Sequence, residues 1–255
     1  MPLSPQRSQY RQLADLLRDA ITSGEYPPGS SLPSEPVLSE RYSVSRPTVN
    51  RAISILRNEG VVRVHRGRGT IVREIPVIHR KSTSRYQQST REQSGGRGAF
   101  DAEIRSLGMT PRSETEVSRV VPPAEVAQAL GLPEGEPNTV VRTRRMYVND
   151  VPVQLAPSYI PVDIAEGTAL AQQDSGPGGI ISRFAELGHR QVRITESVRV
   201  RRSTEEEQSF LKLEDDEPVV EIFHVGWTAE DRPVEVCVHS VPAYLWTLDY
   251  DWSIT

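Results

Sequence analysis

The residues of this chain whose types and spacing suit chemistry are mostly arginines set among glycines and small polar residues. One set, "SRPTVN", gathers Ser45, Arg46, Pro47, Thr48 and Asn50 just ahead of an apolar helical pattern. An arginine fork matches the acceptor edge of guanine and an asparagine amide pairs with adenine, each worth roughly 1–3 kcal/mol of discrimination. A second set, "HRGRG", puts Arg66 and Arg68 beside Gly67 and Gly69 between two β-branched runs. Guanidinium groups on bare backbone suit a narrow, phosphate-lined minor groove. A third set, Arg142 and Arg144 in "VRTRRM", alternates along a strand pattern, so both point to one face while Thr143 and Arg145 point to the other. On an inner face that pair suits a phosphate or carboxylate; on an outer face it is merely solvated.

The elements that must position the first two sets are legible. Leu13, Leu17 and Ile21, widened by Leu16 and Ala20, recur at helical spacing, and Gly24 ends the helix. After the Pro-Pro-Gly loop, Ser34 is a predicted N-cap, with Glu35 favourable to the helix dipole and Pro36 tolerated in the first turn. Ser45 and Pro47 repeat the device, and Val49, Ala52, Ile53 and Leu56 form the buried stripe of a helix from about Arg46 to Glu59, stopped by Gly60. Two short helices joined across "YSV" make a helix-turn-helix, whose second helix enters a major groove with its N-terminal residues against the bases. The period then drops to two in "VVRVH" and "GTIVR", a hairpin tipped by Arg66, Gly67 and Arg68. Together they predict a winged helix. "GRGRGT" has neither the spacing of a phosphate loop nor a helix after it.

The charge is divided in the same way. Residues 1–91 carry 15 Lys+Arg against 7 Asp+Glu, a net of +8, and residues 92–255 carry 15 against 27, a net of −12. A basic block on a compact fold suggests a polyanion partner, and the acidic remainder faces something else. The 255 residues suffice for two domains with real cores, and 36% hydrophobic against 25% charged residues suits a globular chain. No run of about 18 apolar residues and no signal-like start is present, so a cytoplasmic protein is expected, with no membrane partner. Cys237 is the sole cysteine, which excludes an intrachain disulfide and a cysteine zinc cluster. His65, His79, His189, His224 and His239 are scattered without ligand spacing, so neither a metal nor a cofactor is expected.

Residues 74–98 read as a polar linker, strand-like at its start, which divides the chain into 1–73, 74–98 and 99–255. Beyond it "PRSETEVSRVV" is a predicted strand, "PAEVAQALGL" a helix, and "PNTVVRTRRMYVNDVPVQLAPSYIP" two strands around "VND". "GIISRFAELGH" is helix-like and "RQVRITESVRVR" a strand. "STEEEQSFLKL" reads as a capped helix, and the stretch to "HSVPA" as a hairpin around "AEDR". Strands in hairpins outnumber helices, so the half is α+β on an antiparallel sheet.

The run from "LPSE" through "VSRPTV" and "LRNEG" to "GRGT", spanning about residues 8–73, closely resembles the winged helix of the GntR family of bacterial transcription regulators. The resemblance implies a dimer with its third helices in successive major grooves. It also implies DNA contacts at Glu35, Ser45, Arg46, Thr48, Asn50, Arg66, Gly67 and Arg68, to which neighbouring Pro47 and His65 are added. Asn50 stands where this family most often has arginine, and Pro36 where a polar residue often touches DNA. In "LGMTP", "VVRTRRMYVNDVPV", "SYIP" and "DRPVEV", residues 99–250 resemble the UTRA effector domain of the HutC subfamily, related to the chorismate lyase fold. This implies homodimerisation and a small, anionic effector near Arg142, Arg144, Gln154, Tyr159 and Glu235. Gln154 stands where phosphosugar-sensing members tend to carry glutamate, which speaks against a phosphosugar.

The expected protein is thus a dimeric, ligand-responsive repressor of a palindromic operator, released from DNA by its effector. The alternatives are a DNA-binding regulator whose acidic half only dimerises or binds a protein, as in plasmid transfer control, and an enzyme related to chorismate lyase. No Ser/His/Asp set or glycine-rich phosphate loop frames the carboxylates, so catalysis is not expected.

Overall fold

The computed structural model describes residues 8–65, 69–86, 98–176, 178–215 and 217–252. The chain divides into two compact units, Met1–Val77 and Ile78–Thr255.

In the first unit α1 (Gln9–Thr22) buries Leu13, Leu17 and Ala20 of the expected stripe together with Ala14. Ile21 is half-buried, and Leu16, expected to widen the stripe, is exposed because the helix turns Ala14 inward instead. It packs on α3 (Arg46–Asn58), which turns Val49, Ala52, Ile53 and Leu56 inward, while α2 (Glu35–Arg41) adds Leu38. Gly60, at φ +72, supplies the left-handed turn that ends α3, and its N–H and that of Val61 return to the carbonyls of Arg57 and Leu56. The chain then enters the antiparallel pair β1 (Val62–His65) and β2 (Gly69–Val72), which seats Val62 and Val72 in the helical core. Arg18 on α1 donates to Glu59 at 2.8 Å, tying the end of α3 to the first helix. Ser34 stands at the start of α2 in extended conformation, but its side chain accepts no bond from the helix. That predicted cap is therefore supplied by backbone position alone.

The second unit begins earlier than the sequence suggested. Ile78–Lys81, in the strand-like start of the expected linker, is β3, with Ile78 and Arg80 alternating inward and buried. It pairs in parallel with β10 (Trp246–Asp249) at the far end of the chain. Residues 87–97 of the expected linker lie outside the described residues. Next comes α4 (Ala99–Ser106), whose pattern was not read from sequence; it buries Phe100 and Ile104.

The body is a six-stranded antiparallel sheet of order β4-β5-β6-β9-β8-β7. Its strands are β4 (Pro111–Val120), β5 (Thr139–Val148), β6 (Val151–Pro161), β7 (Arg193–Arg202), β8 (Pro218–Trp227) and β9 (Pro233–Pro242). The β5–β6 turn needs positive φ at both central positions, and Asn149 and Asp150 supply it at +46 and +64. One face is covered by α5 (Ala124–Leu130), over Val225, Val236 and Tyr159, and by α8 (Glu205–Leu211), with Phe210 edge-on to Tyr147. The cap expected in "STEEEQ" is a full capping box between Thr204 and Glu207. The short α6 (Val162–Ala165), a 3-10 turn at Ala169–Ala171 and α7 (Gly179–Glu186) enclose an apolar cluster around Ile160, Leu170 and Phe184. Among the described residues no helix is long and apolar enough to cross a membrane.

Candidate functional site

The exposed N-terminal end of α3 is the first candidate site. With its stripe of Val49, Ala52, Ile53 and Leu56 buried, the helix presents Ser45, Arg46, Pro47 and Asn50 to solvent, with Thr48 half-buried. Ser45 is the N-cap: its Oγ accepts from the Thr48 N–H at 3.4 Å and lies 2.9 Å from the Thr48 hydroxyl. Asn50 reaches back to α2, where one end of its amide lies 2.6 and 3.0 Å from the Glu35 carboxylate oxygens, a contact that is a hydrogen bond when the amide nitrogen is the end turned to Glu35. Arg46, Asn50 and Glu35 thus share one exposed edge, at the positively polarised start of two helices. Ser45→Ala removes the cap bond and should lower the stability of this unit by about 1 kcal/mol, read as a fall in its urea midpoint.

The wing is anchored on both sides of its base. Arg63↔Ile71 and Val64↔Thr70 pair within the hairpin, and Leu32 donates from the other side to the Thr70 carbonyl at 2.8 Å. Arg66, Gly67 and Arg68, the expected tip, lie outside the described residues, and His65 is described in its backbone alone.

The second candidate site is a cavity of about 530 Å³ on the sheet face opposite α5 and α8. Strand alternation delivers Ser113 and Thr115 from β4, Arg142 and Arg144 from β5, and Gln154 from β6. Glu235, Cys237 and His239 come from β9 by the same rule, and Phe100 and Ile180 close the rim from α4 and α7. Four of the five expected effector residues therefore line one cavity. Tyr159 does not. It falls on the odd face of β6, against Val126 and Val236 beneath α5, so its placement in the pocket is corrected.

The two arginines differ in what they do. Arg142, only 2% exposed, directs Nη1 to the carbonyls of Leu170, at 2.8 Å, and Gln172, and Nη2 to that of Gln173 at 3.1 Å. Burial, and then the neighbouring Arg144 charge, lower its pKa to about 10. It clamps the rim segment that precedes α7. Arg144 is less enclosed and donates to Ser158 Oγ at 2.8 Å and to Cys237 Sγ at 3.2 Å. Arg145, on the other face as expected, pairs with Glu116 at 2.8 Å.

A buried polar chain that sequence reasoning missed backs the cavity. Gln154 donates its amide to His239 Nδ1 at 2.8 Å, which leaves the remaining ring proton on Nε2. Burial, with the charges of Arg80 and others nearby, keeps His239 well below the usual histidine range. Its ring meets that of His224 edge-on, and His224 Nδ1 lies 3.3 Å from Glu196. Glu196 in turn is gripped by both Nη atoms of Arg80, one at 2.9 Å. On the acidic side Gln191 donates to Glu235 at 2.9 Å. The signal lay in alternation: Glu196, His224, Cys237 and His239 all fall on the sheet face of Arg142 and Arg144. The scattered histidines concealed it, because pairing and not sequence spacing brings two of them together. Among the described residues no group could hold a metal ion.

Comparison with known proteins matches both units. A family model described as bacterial regulatory proteins, gntR family, matches residues 9–72, and one described as UTRA domain matches residues 106–243. An uncharacterized HTH-type transcriptional regulator of Streptomyces coelicolor is 33% identical over 97% of this chain and 94% of its own length. The HTH-type transcriptional repressor NagR of Bacillus subtilis is 33% identical over 61% of this chain and 59% of its own. Among solved structures, PhnF from Mycobacterium smegmatis shares the fold with a TM-score of 0.60 at 19% identity, covering 95% of this chain and 99% of that one.

Proposed function

Because the chain belongs to the GntR family of bacterial transcription regulators and carries a UTRA effector domain, we propose that it is a homodimeric, cytoplasmic repressor whose DNA binding is released by a small anionic effector. Members of this family regulate transcription and are not enzymes, and DNA binding is the activity of the first unit. The observation that carries the reading is the exposed edge of α3, where Ser45, Arg46 and Asn50 are exposed and Thr48 is half-buried beside them. In that reading Arg46, Thr48 and Asn50 contact bases, Ser45 and Pro47 fit against the backbone, and the wing of His65, Arg66, Gly67 and Arg68 follows a minor groove. Similarity to a named repressor supports repression in preference to activation.

The effector is assigned to the cavity of Arg144, Gln154 and Glu235, with Arg142 shaping its rim. An anion there accepts from Arg144, and Glu235 accepts from hydroxyl or amine groups at the other end. Release requires only that the effector favour one dimer state over the other, a coupling of about 1–3 kcal/mol.

Arg46→Ala tests the reading. In binding titrations on duplexes selected from a random pool, it should cost roughly 1–3 kcal/mol against the preferred duplex and flatten selectivity at one base pair per half-site. Unchanged affinity and selectivity would remove Arg46 from the interface. Sedimentation equilibrium of the full chain should give twice the monomer mass, and a monomer that binds DNA at low salt would refute the symmetric arrangement.

A further inference from the structure

We propose that Glu35 is a positioning residue for Asn50, fixing its amide so that α3 accepts from an amino base, adenine or cytosine, and rejects guanine and thymine at one position of the operator. The inference rests on the DNA-reading proposal above and adds the chemistry of one contact.

An exposed asparagine has two amide orientations of similar energy, and either can be chosen to suit a base. Asn50 has lost that freedom. Both carboxylate oxygens of Glu35 lie within 3.0 Å of its amide position, and only the orientation with nitrogen toward Glu35 makes a hydrogen bond. The reverse orientation sets an amide oxygen against a carboxylate. The bond is charge-assisted, hence stronger than a neutral one. Because both acceptors approach the nitrogen from one carboxylate, they share one N–H, and the carbonyl Oδ1 is left on the opposite end of the amide.

Oδ1 of Asn50, held away from Glu35, is then the acceptor offered on the exposed edge. In a major groove the donors are adenine N6 and cytosine N4, while guanine O6 and thymine O4 are acceptors. An amino base satisfies Oδ1; a keto oxygen set against it meets a like partial charge. Adenine is favoured over cytosine, since its N7 also takes the second amide N–H. Glu35 therefore contributes selectivity without needing to touch a base itself. Its negative charge beside phosphates works against affinity.

The test is selection of duplexes from a randomised pool by the full chain, followed by competition among single-base variants for wild type, Asn50→Ala and Glu35→Gln. The base pair read by Asn50 is the one at which Asn50→Ala loses preference. There the wild type should favour adenine or cytosine over guanine or thymine by roughly tenfold or more. Glu35→Gln, whose own amide can donate or accept, should reduce this to less than about threefold. Its affinity for the pool should hold or rise, and its melting temperature should not move, since both residues are exposed. Preference for guanine or thymine at that pair, full preference in Glu35→Gln, or no altered position in Asn50→Ala would each overturn the inference while leaving DNA binding intact. A wild type that enriches no duplex would overturn the DNA reading itself, and the inference with it.

Discussion

Glu196→Ala is expected to destabilise the second unit by about 3–5 kcal/mol, measured by urea unfolding of the full chain. The size follows from what remains. Arg80 is 1% exposed, and its guanidinium is satisfied by both Glu196 oxygens, by Ser82 and by the Tyr86 hydroxyl at 3.0 Å. Removing the carboxylate leaves a buried cation without its direct partner, since the other carboxylate that acts on it, Glu103, is already paired with Arg85. This costs far more than the pair itself contributes. A double variant, Arg80→Leu with Glu196→Leu, should therefore recover much of the loss. The same pair sets an acid limit. Burial alone would raise the Glu196 carboxyl, but its bonds with His224 and Arg80 outweigh that and hold it down to about 2, from 4.5. A carboxylate depressed on folding stabilises fully above its ordinary value, so this contribution is complete above pH 4.5 and is lost as the pH falls toward 2. The shift corresponds to about 3 kcal/mol in wild type, and the unfolding free energy of Glu196→Gln should be flatter across that window.

The winged helix was legible because every signal in it is local. Apolar spacing defines α1 and α3, Ser45 and Gly60 mark the limits of α3, and a change of period marks the hairpin. The hairpins of the second unit were legible for the same reason, through turn residues such as Asn149 and Asp150. What escaped depends on distant partners. The linker's strand-like start is legible, but its pairing as β3 with β10, some 170 residues later, is not. The Glu196–His224–His239 chain joins three strands, so no window of sequence contains it. Tyr159 differs from the expectation by one residue: Ser158, its neighbour, accepts from Arg144 on the cavity side of the sheet, and strand alternation turns Tyr159 to the other side. The wing tip arginines were the clearest sequence signal of all, yet they lie outside the described residues, so their role rests on the base that β1 and β2 provide.

Arg142 and Arg144 should separate into two roles that the sequence could not distinguish. Read as a pair, they are two equivalent grips on an anion; in the fold one guanidinium is already occupied. Arg142→Met is expected to cost about 2–4 kcal/mol of stability, because three main-chain carbonyls, of Leu170, Gln172 and Gln173, lose their donor inside the protein. It should also abolish any ligand response, since the rim segment before α7 is no longer held. Arg144→Gln keeps a donor for Ser158 and relieves a crowded charge, so its melting temperature should change little. Yet it removes the cation best able to meet an effector. Thermal shift against a panel of small carboxylates and phosphates separates the two. For a compound present at 100 times its dissociation constant, wild type gains about 2.7 kcal/mol, whereas Arg144→Gln should gain almost nothing while folding normally. If Arg144→Gln responds as wild type does, the anion sits elsewhere in the cavity, whose lining also includes Arg85, a cation paired with Glu103. Should Arg142→Met unfold no more easily than wild type, the carbonyl clamp is not what holds the rim, and the two arginines return to the equivalence that their spacing first suggested.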